Sequence, residues 1–251
     1  MHSDTDLAEA LADLLEDLVH IPSGAIRIGS TEEEVARELR SPDLAGVRPE
    51  WLRKELPRRT VIVPSFLIGR TPVTVDQAEA LAPWTGVKPI APAGGDHPAS
   101  LSVPDAFQFC AAVSDLAGRQ ISPPSEEEWV RAARGDDDRT YPWGDRWDTQ
   151  RANLIGTGIG TTTAVGSFPS GASPFGVLDL AGNADELTRT VYRPFPGAPE
   201  DVPLLETWAR SPFVTKGGGF LHARDLARID RRHGIYADGE PLALRLAVTI
   251  R

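Results

Sequence analysis

Cysteine is almost missing from this chain, with Cys110 alone among 251 residues. An intrachain disulfide, a cysteine-pair zinc site and a dithiol redox site are thereby excluded. No apolar run approaches the roughly 20 residues that span a bilayer, and Met1-His2-Ser3-Asp4-Thr5-Asp6 lacks the basic and apolar regions of a secretory leader. A cytoplasmic location with no membrane partner is the resulting expectation. Basic side chains are outnumbered, 26 against 36 acidic, and a net charge of -10 repels phosphate backbones. Nucleic acid is therefore not an expected partner. Common catalytic signatures are missing too: there is no nucleophile elbow, phosphate loop or helical His-Glu-x-x-His. Gly156-Thr157-Gly158-Ile159-Gly160 lacks the third glycine and the strand-to-helix setting of a dinucleotide site.

What is present describes one globular domain. Hydrophobic residues make up 41% and charged residues 25%, and a chain of this length buries roughly 70% of its unfolded surface. Glycine and proline, 23 and 22 residues, are spread along the chain and predict loops throughout. Helix starts are marked by Ser or Thr followed three residues later by an acid or Gln: Thr31 with Glu34, Thr74 with Gln77, Ser102 with Asp105, Ser125 with Glu128. The third of these carries Ala106, Phe109, Cys110, Val113 and Ala117 at helical spacing and stops at Gly118, so it faces the core. Residues 1–18 predict an amphipathic helix, with Leu7, Leu11, Leu14, Leu15 and Leu18 on one face, packed on the domain edge or on a partner; residues 19–251 form the domain. Short strands are predicted at Ala25 to Ile28, Thr60 to Val63, Phe66 to Ile68, Phe213 to Lys216 and Ala243 to Ile250. Between Tyr141 and Ser211 no period is sustained, so buried aromatics, packed glycines or a bound ion must order that stretch.

Several phrases, in order, carry a resemblance. They include His20-Ile21-Pro22-Ser23-Gly24, Arg70-Thr71-Pro72-Val73-Thr74, and the set Pro124-Ser125-Glu126-Glu127-Glu128-Trp129, Ala132-Ala133-Arg134-Gly135 and Tyr141-Pro142-Trp143-Gly144. Phe175-Gly176-Val177-Leu178-Asp179-Leu180-Ala181-Gly182-Asn183, Lys216-Gly217-Gly218 and Leu244-Arg245 complete the series. Together they resemble the formylglycine-generating enzyme family, also called the sulfatase-modifying-factor family, over most of the chain. The resemblance implies an α+β, C-type-lectin-like fold, loop-rich with little regular secondary structure.

It also implies what to look for as chemistry. Formylglycine-forming members carry two cysteines after the glycine-rich strand and hold copper with them; here His222 and Ala227 stand in those places. No copper is expected, because the soft thiolate pair suited to copper(I) is missing and Cys110 belongs to a core-facing helix. His222, Asp225, Asp230 and His233 supply imidazoles and carboxylates, the ligand types of a non-haem iron. The same stretch offers His222, Arg224, Asp225, Arg228, Asp230 and Arg231 to an anionic small molecule or a protein partner in a cleft lined by residues 219–239. Asn183 and Glu186 resemble the family's calcium-coordinating pair, so a structural calcium, or a hydrogen-bonded imitation of it, is expected there. The leading expectation is a catalytically silent binding domain. The alternative is a non-haem iron oxygenase or oxidase that uses His222 and His233.

Overall fold

A computed structural model describes residues 3–41, 47–90, 94–202, 211–234 and 242–250. Helix α1 (Asp4–Glu16) is followed by strands β1 (Leu18–Ile21) and β2 (Gly24–Ile28), helices α2 (Glu32–Leu39) and α3 (Pro49–Arg53), and strands β3 (Arg59–Val63) and β4 (Phe66–Gly69). Then come α4 (Val75–Thr85), α5 (Val103–Ala117), β5 (Ile121–Ser122), α6 (Glu126–Arg134), β6 (Asp185–Val191), β7 (Phe213–Lys216), β8 (Leu242–Ala243) and β9 (Ala247–Thr249). These helices and short strands build the expected α+β fold. Among the described residues no helix is long and apolar enough to cross a membrane.

Helix starts follow the local rule. Thr31, Thr74 and Ser125 each accept the backbone N–H three residues on while the side chain at that position returns a bond to the cap amide. Helix α5 ends on Gly118 in the left-handed region, as its sequence predicts. The leucine face of α1 lies against the domain itself: Leu14 joins the core with Leu81, Val113 and Leu246, and Leu7, Leu11 and Leu15 pack beside it.

Among the described residues three small sheets form, in the orders β1-β4-β9-β5, β2-β3 and β7-β6-β8. The third positions the site. In it β6 pairs antiparallel with β7, Glu186 opposite Lys216 and Leu187 opposite Thr215, and parallel with β8. Strand β6 falls in the stretch whose sequence shows no period. Its first four residues are all buried, and charged ones are among them, so neither face alternates. The expected last strand is interrupted between β8 and β9, where Arg245 is fully buried.

Buried ion pairs replace an unbroken hydrophobic core. Arg245 donates to both oxygens of Glu186 and to the carbonyls of Gly69, Arg70 and Leu178. Trp129 Nε1 donates to Glu186 Oε2 at 2.7 Å. Thus helix α6, strand β6 and the closing segment are joined at one carboxylate.

Candidate metal centre

Asp185 opens β6, and the preceding backbone bends sharply to place it, with Gly182 and Asn183 both at positive φ (73° and 70°). Asn183 is held there by its own side chain: its Oδ1 accepts from Thr163 N at 2.8 Å, and its Nδ2 donates to Thr163 O at 3.1 Å. After β7 the chain turns back over this bend. Gly218 has φ 72°, and a Cβ there would lie 2.7 Å from Leu226 Cβ, so the turn admits glycine. The Phe220 amide then donates to the Asn183 carbonyl at 3.2 Å, and His222 N to Gly219 O at 2.9 Å, which lays His222 beside Asp185. His233 arrives from further on, bridged to β7 by reciprocal backbone bonds with Thr215.

Asp185, His222 and His233 each offer a ligand atom, and these atoms lie within 4.8 Å of one another. His222 Nδ1 is 3.2 Å from Asp185 Oδ2, and the two imidazole rings stand edge-on at 74° with centroids 5.2 Å apart. Ligand atoms about 2.1 Å from one ion must be about 3–4 Å apart, so small side-chain rotations suffice to close the set. Among the described residues no hydrogen bond reaches buried Asp185 Oδ1. Leaving such an oxygen bare costs about 1–3 kcal/mol, which a cation would offset. Two imidazoles with one carboxylate suit a first-row divalent metal with open positions, iron(II) above all; they do not suit copper(I), which prefers thiolates. Cys110 is buried in α5, and burial pushes its thiol up to about 12.

Asp225 and Asp230 do not join the histidines. Asp225 Oδ2 accepts from Arg231 Nε at 2.7 Å and its Oδ1 from Arg228 Nη2 at 2.9 Å. Burial alone would raise its carboxyl, but the Arg231 and Arg228 guanidiniums prevail and hold it at about 2. Asp230 is taken by Arg134 at 2.6 Å and by the Gly29 amide. The arginines are likewise engaged: Arg228 with Glu55, Arg231 with the Trp51 carbonyl as well as Asp225, and Arg224 with Tyr141 Oη and Ser41 Oγ. Arg228 and Arg231 are buried, so the forks read from the sequence as ligand contacts brace the wall from within. At the expected calcium pair, Glu186 spends its oxygens on Arg245 and Trp129, and Asn183 Oδ1 accepts donors from Thr163 and Asn153. Hydrogen bonds do there what an ion was expected to do.

A cavity of about 370 Å³ lies against His222 and His233, walled by Val47, Trp51, Leu221 and Leu226. The cleft expected along residues 219–239 coincides with it up to His233; residues 235–239 lie outside the described residues. The sequence places Asp185 beside Asn183 and Glu186 as an extra carboxylate of that turn, not with the histidines; the β6–β7 pairing reveals its nearness to His222.

Comparisons with known proteins agree with the architecture. The formylglycine-generating enzyme of Mycobacterium tuberculosis is 27% identical, over 84% of this chain and 88% of that one. The hercynine oxygenase of Mycolicibacterium thermoresistibile is 31% identical, over 74% of this chain and 50% of its own, so this chain spans about half the length of that relative. In structure, PvdO from Pseudomonas aeruginosa superposes with a TM-score of 0.70 at 23% identity, over 93% of this chain and 94% of that one, a likeness of fold. The profile of the sulfatase-modifying factor enzyme 1-like domain matches residues 4–248, and the chain belongs to that family.

Proposed function

We propose that this chain is a non-haem iron oxidoreductase in which Asp185, His222 and His233 hold a divalent iron. The observation that carries the reading is the convergence of those three side chains, with donor atoms within 4.8 Å, beside a cavity large enough for a small substrate. Iron bound there would supply activation of dioxygen. The name hercynine oxygenase borne by one relative supports oxygen chemistry in this family.

The chain's own residues prepare the site. Asp185 would neutralise one of the metal's two charges. The backbone bridge to Thr215 fixes His233. Trp51, Val47 and Leu221 give the cavity beside the histidines an apolar wall. A reducing cytoplasm, proposed from the single cysteine, would keep the iron ferrous.

Anaerobic titration with iron(II) tests this: one equivalent per chain is expected, lost in His222→Ala and in His233→Ala. Absence of stoichiometric binding would favour the second reading, a catalytically silent domain that binds an anionic small molecule or a protein partner. That reading is supported by the missing thiolate pair at His222 and Ala227.

A further inference from the structure

Charged residues line the cavity beside His222 and His233, yet each of them is matched inside the protein. Arg232 donates to both oxygens of buried Glu126, at 2.8 and 3.0 Å. Arg231 meets Asp225 at 2.7 Å and also donates to the Trp51 carbonyl, and Asp225 answers Arg228 as well. Lys54, only 3% exposed, lies over the Tyr192 ring, 5.5 Å from its centroid. A charged group entering here would give up its hydration and gain no counter-ion from the wall, which is costly in a buried setting. Asp185 beside His222 makes the entry of an anion less favourable still. Carbon is what the wall has to offer: Val47, Trp51, Leu221 and Leu226 face the space, and Leu221 is 55% exposed. An exposed apolar side chain continuous with a cavity marks a place where apolar surface is covered on binding.

From this pairing of matched charges with an apolar wall, we infer that the substrate is a neutral small molecule with an apolar body, held by burial against Trp51, Leu221 and Leu226 and not by an ion pair. Affinity then comes from carbon surface removed from water, and selectivity comes from the absence of any reward for a charge. A cavity of about 370 Å³ is of the size that takes such a ligand. The inference rests on the iron reading of the same site and names what enters it.

Metal-free protein serves for the test, because a bound metal would itself attract a carboxylate. Benzyl alcohol, 2-phenylethanol and 3-phenylpropanol, titrated calorimetrically, are expected to gain about fourfold in affinity with each added methylene. The anion 3-phenylpropanoate, which has the same body, is expected to bind at least about tenfold more weakly than 3-phenylpropanol. Val47→Ser and Leu221→Ser, both at partly exposed positions, should each weaken 3-phenylpropanol by about threefold or more. A carboxylate that binds as tightly as the alcohol, or an affinity that does not rise along the series, overturns the inference whether or not the variants fold. So does a pair of folded variants that both bind the alcohol at wild-type strength. Iron(II) titration of the same preparation keeps the two readings apart. Protein that shows the methylene gradient but takes up no iron sinks the iron reading alone, whereas protein that takes up iron without the gradient sinks this inference alone.

Discussion

Asp185 Oδ2 lies 3.2 Å from His222 Nδ1, a nitrogen that already accepts the Gly219 amide. The proposed iron would lie between these two atoms and His233, and the consequences can be measured.

Removing the carboxylate should remove the cation. Asp185→Asn keeps the shape of the side chain and discards its charge, so iron(II) affinity is expected to fall by more than about 100-fold, beyond the usual loss for an outer-shell partner. The folded state should persist, because among the described residues the ion pair of Asp185 is with His222 and not with the buried arginines. Circular dichroism and metal analysis on one preparation check both.

Glu186, its neighbour in β6, should behave in the opposite way. It is fully buried and bonded by Arg245 and Trp129, and removing one partner of such a pair costs about 3–5 kcal/mol. Arg245→Met is expected to shift the urea midpoint accordingly. Added calcium should leave the melting temperature of the wild-type protein within about 2 °C, since the Glu186 oxygens are already occupied; one kcal/mol of stabilisation would move it by about 2–4 °C in a chain of this length.

Acid sensitivity follows from Asp225. Its carboxyl is at about 2 in the folded protein, below the ordinary value near 3.9. A lowered carboxylate stabilises the fold above the unfolded value and ceases to do so as pH falls through the folded one. About 2 kcal/mol should thus be lost between about pH 4 and pH 2, and Asp225→Asn should flatten that part of the stability profile. Urea midpoints measured across the window give the answer.

Cys110 should be inert. With its thiol pushed up to about 12 inside α5, it should resist iodoacetamide in the native protein and react only after denaturation. Cys110→Ala should leave metal stoichiometry unchanged, since the proposed ligands lie elsewhere.

Much of the fold is written locally. Ser and Thr caps with their partners three residues on place α2, α4, α5 and α6, because a cap is settled within one turn. Strand β6 is hidden for the converse reason: its buried positions include Asp185 and Glu186, whose partners come from distant segments. The site divides along the same line. His222 and His233 stand out as the imidazoles of the segment after β7, but a carboxylate for them could be chosen only by proximity in sequence, which favoured Asp225 and Asp230. Those two answer to Arg231 and Arg134, and the pairing of β6 with β7 supplies Asp185 instead.

The most direct measurement is an anomalous difference map, collected at the iron absorption edge, from crystals grown anaerobically with iron(II). One strong peak bonded to Asp185, His222 and His233 at about 2.1 Å is expected. A map without density between those side chains, or with the iron held at other residues, would contradict the assignment.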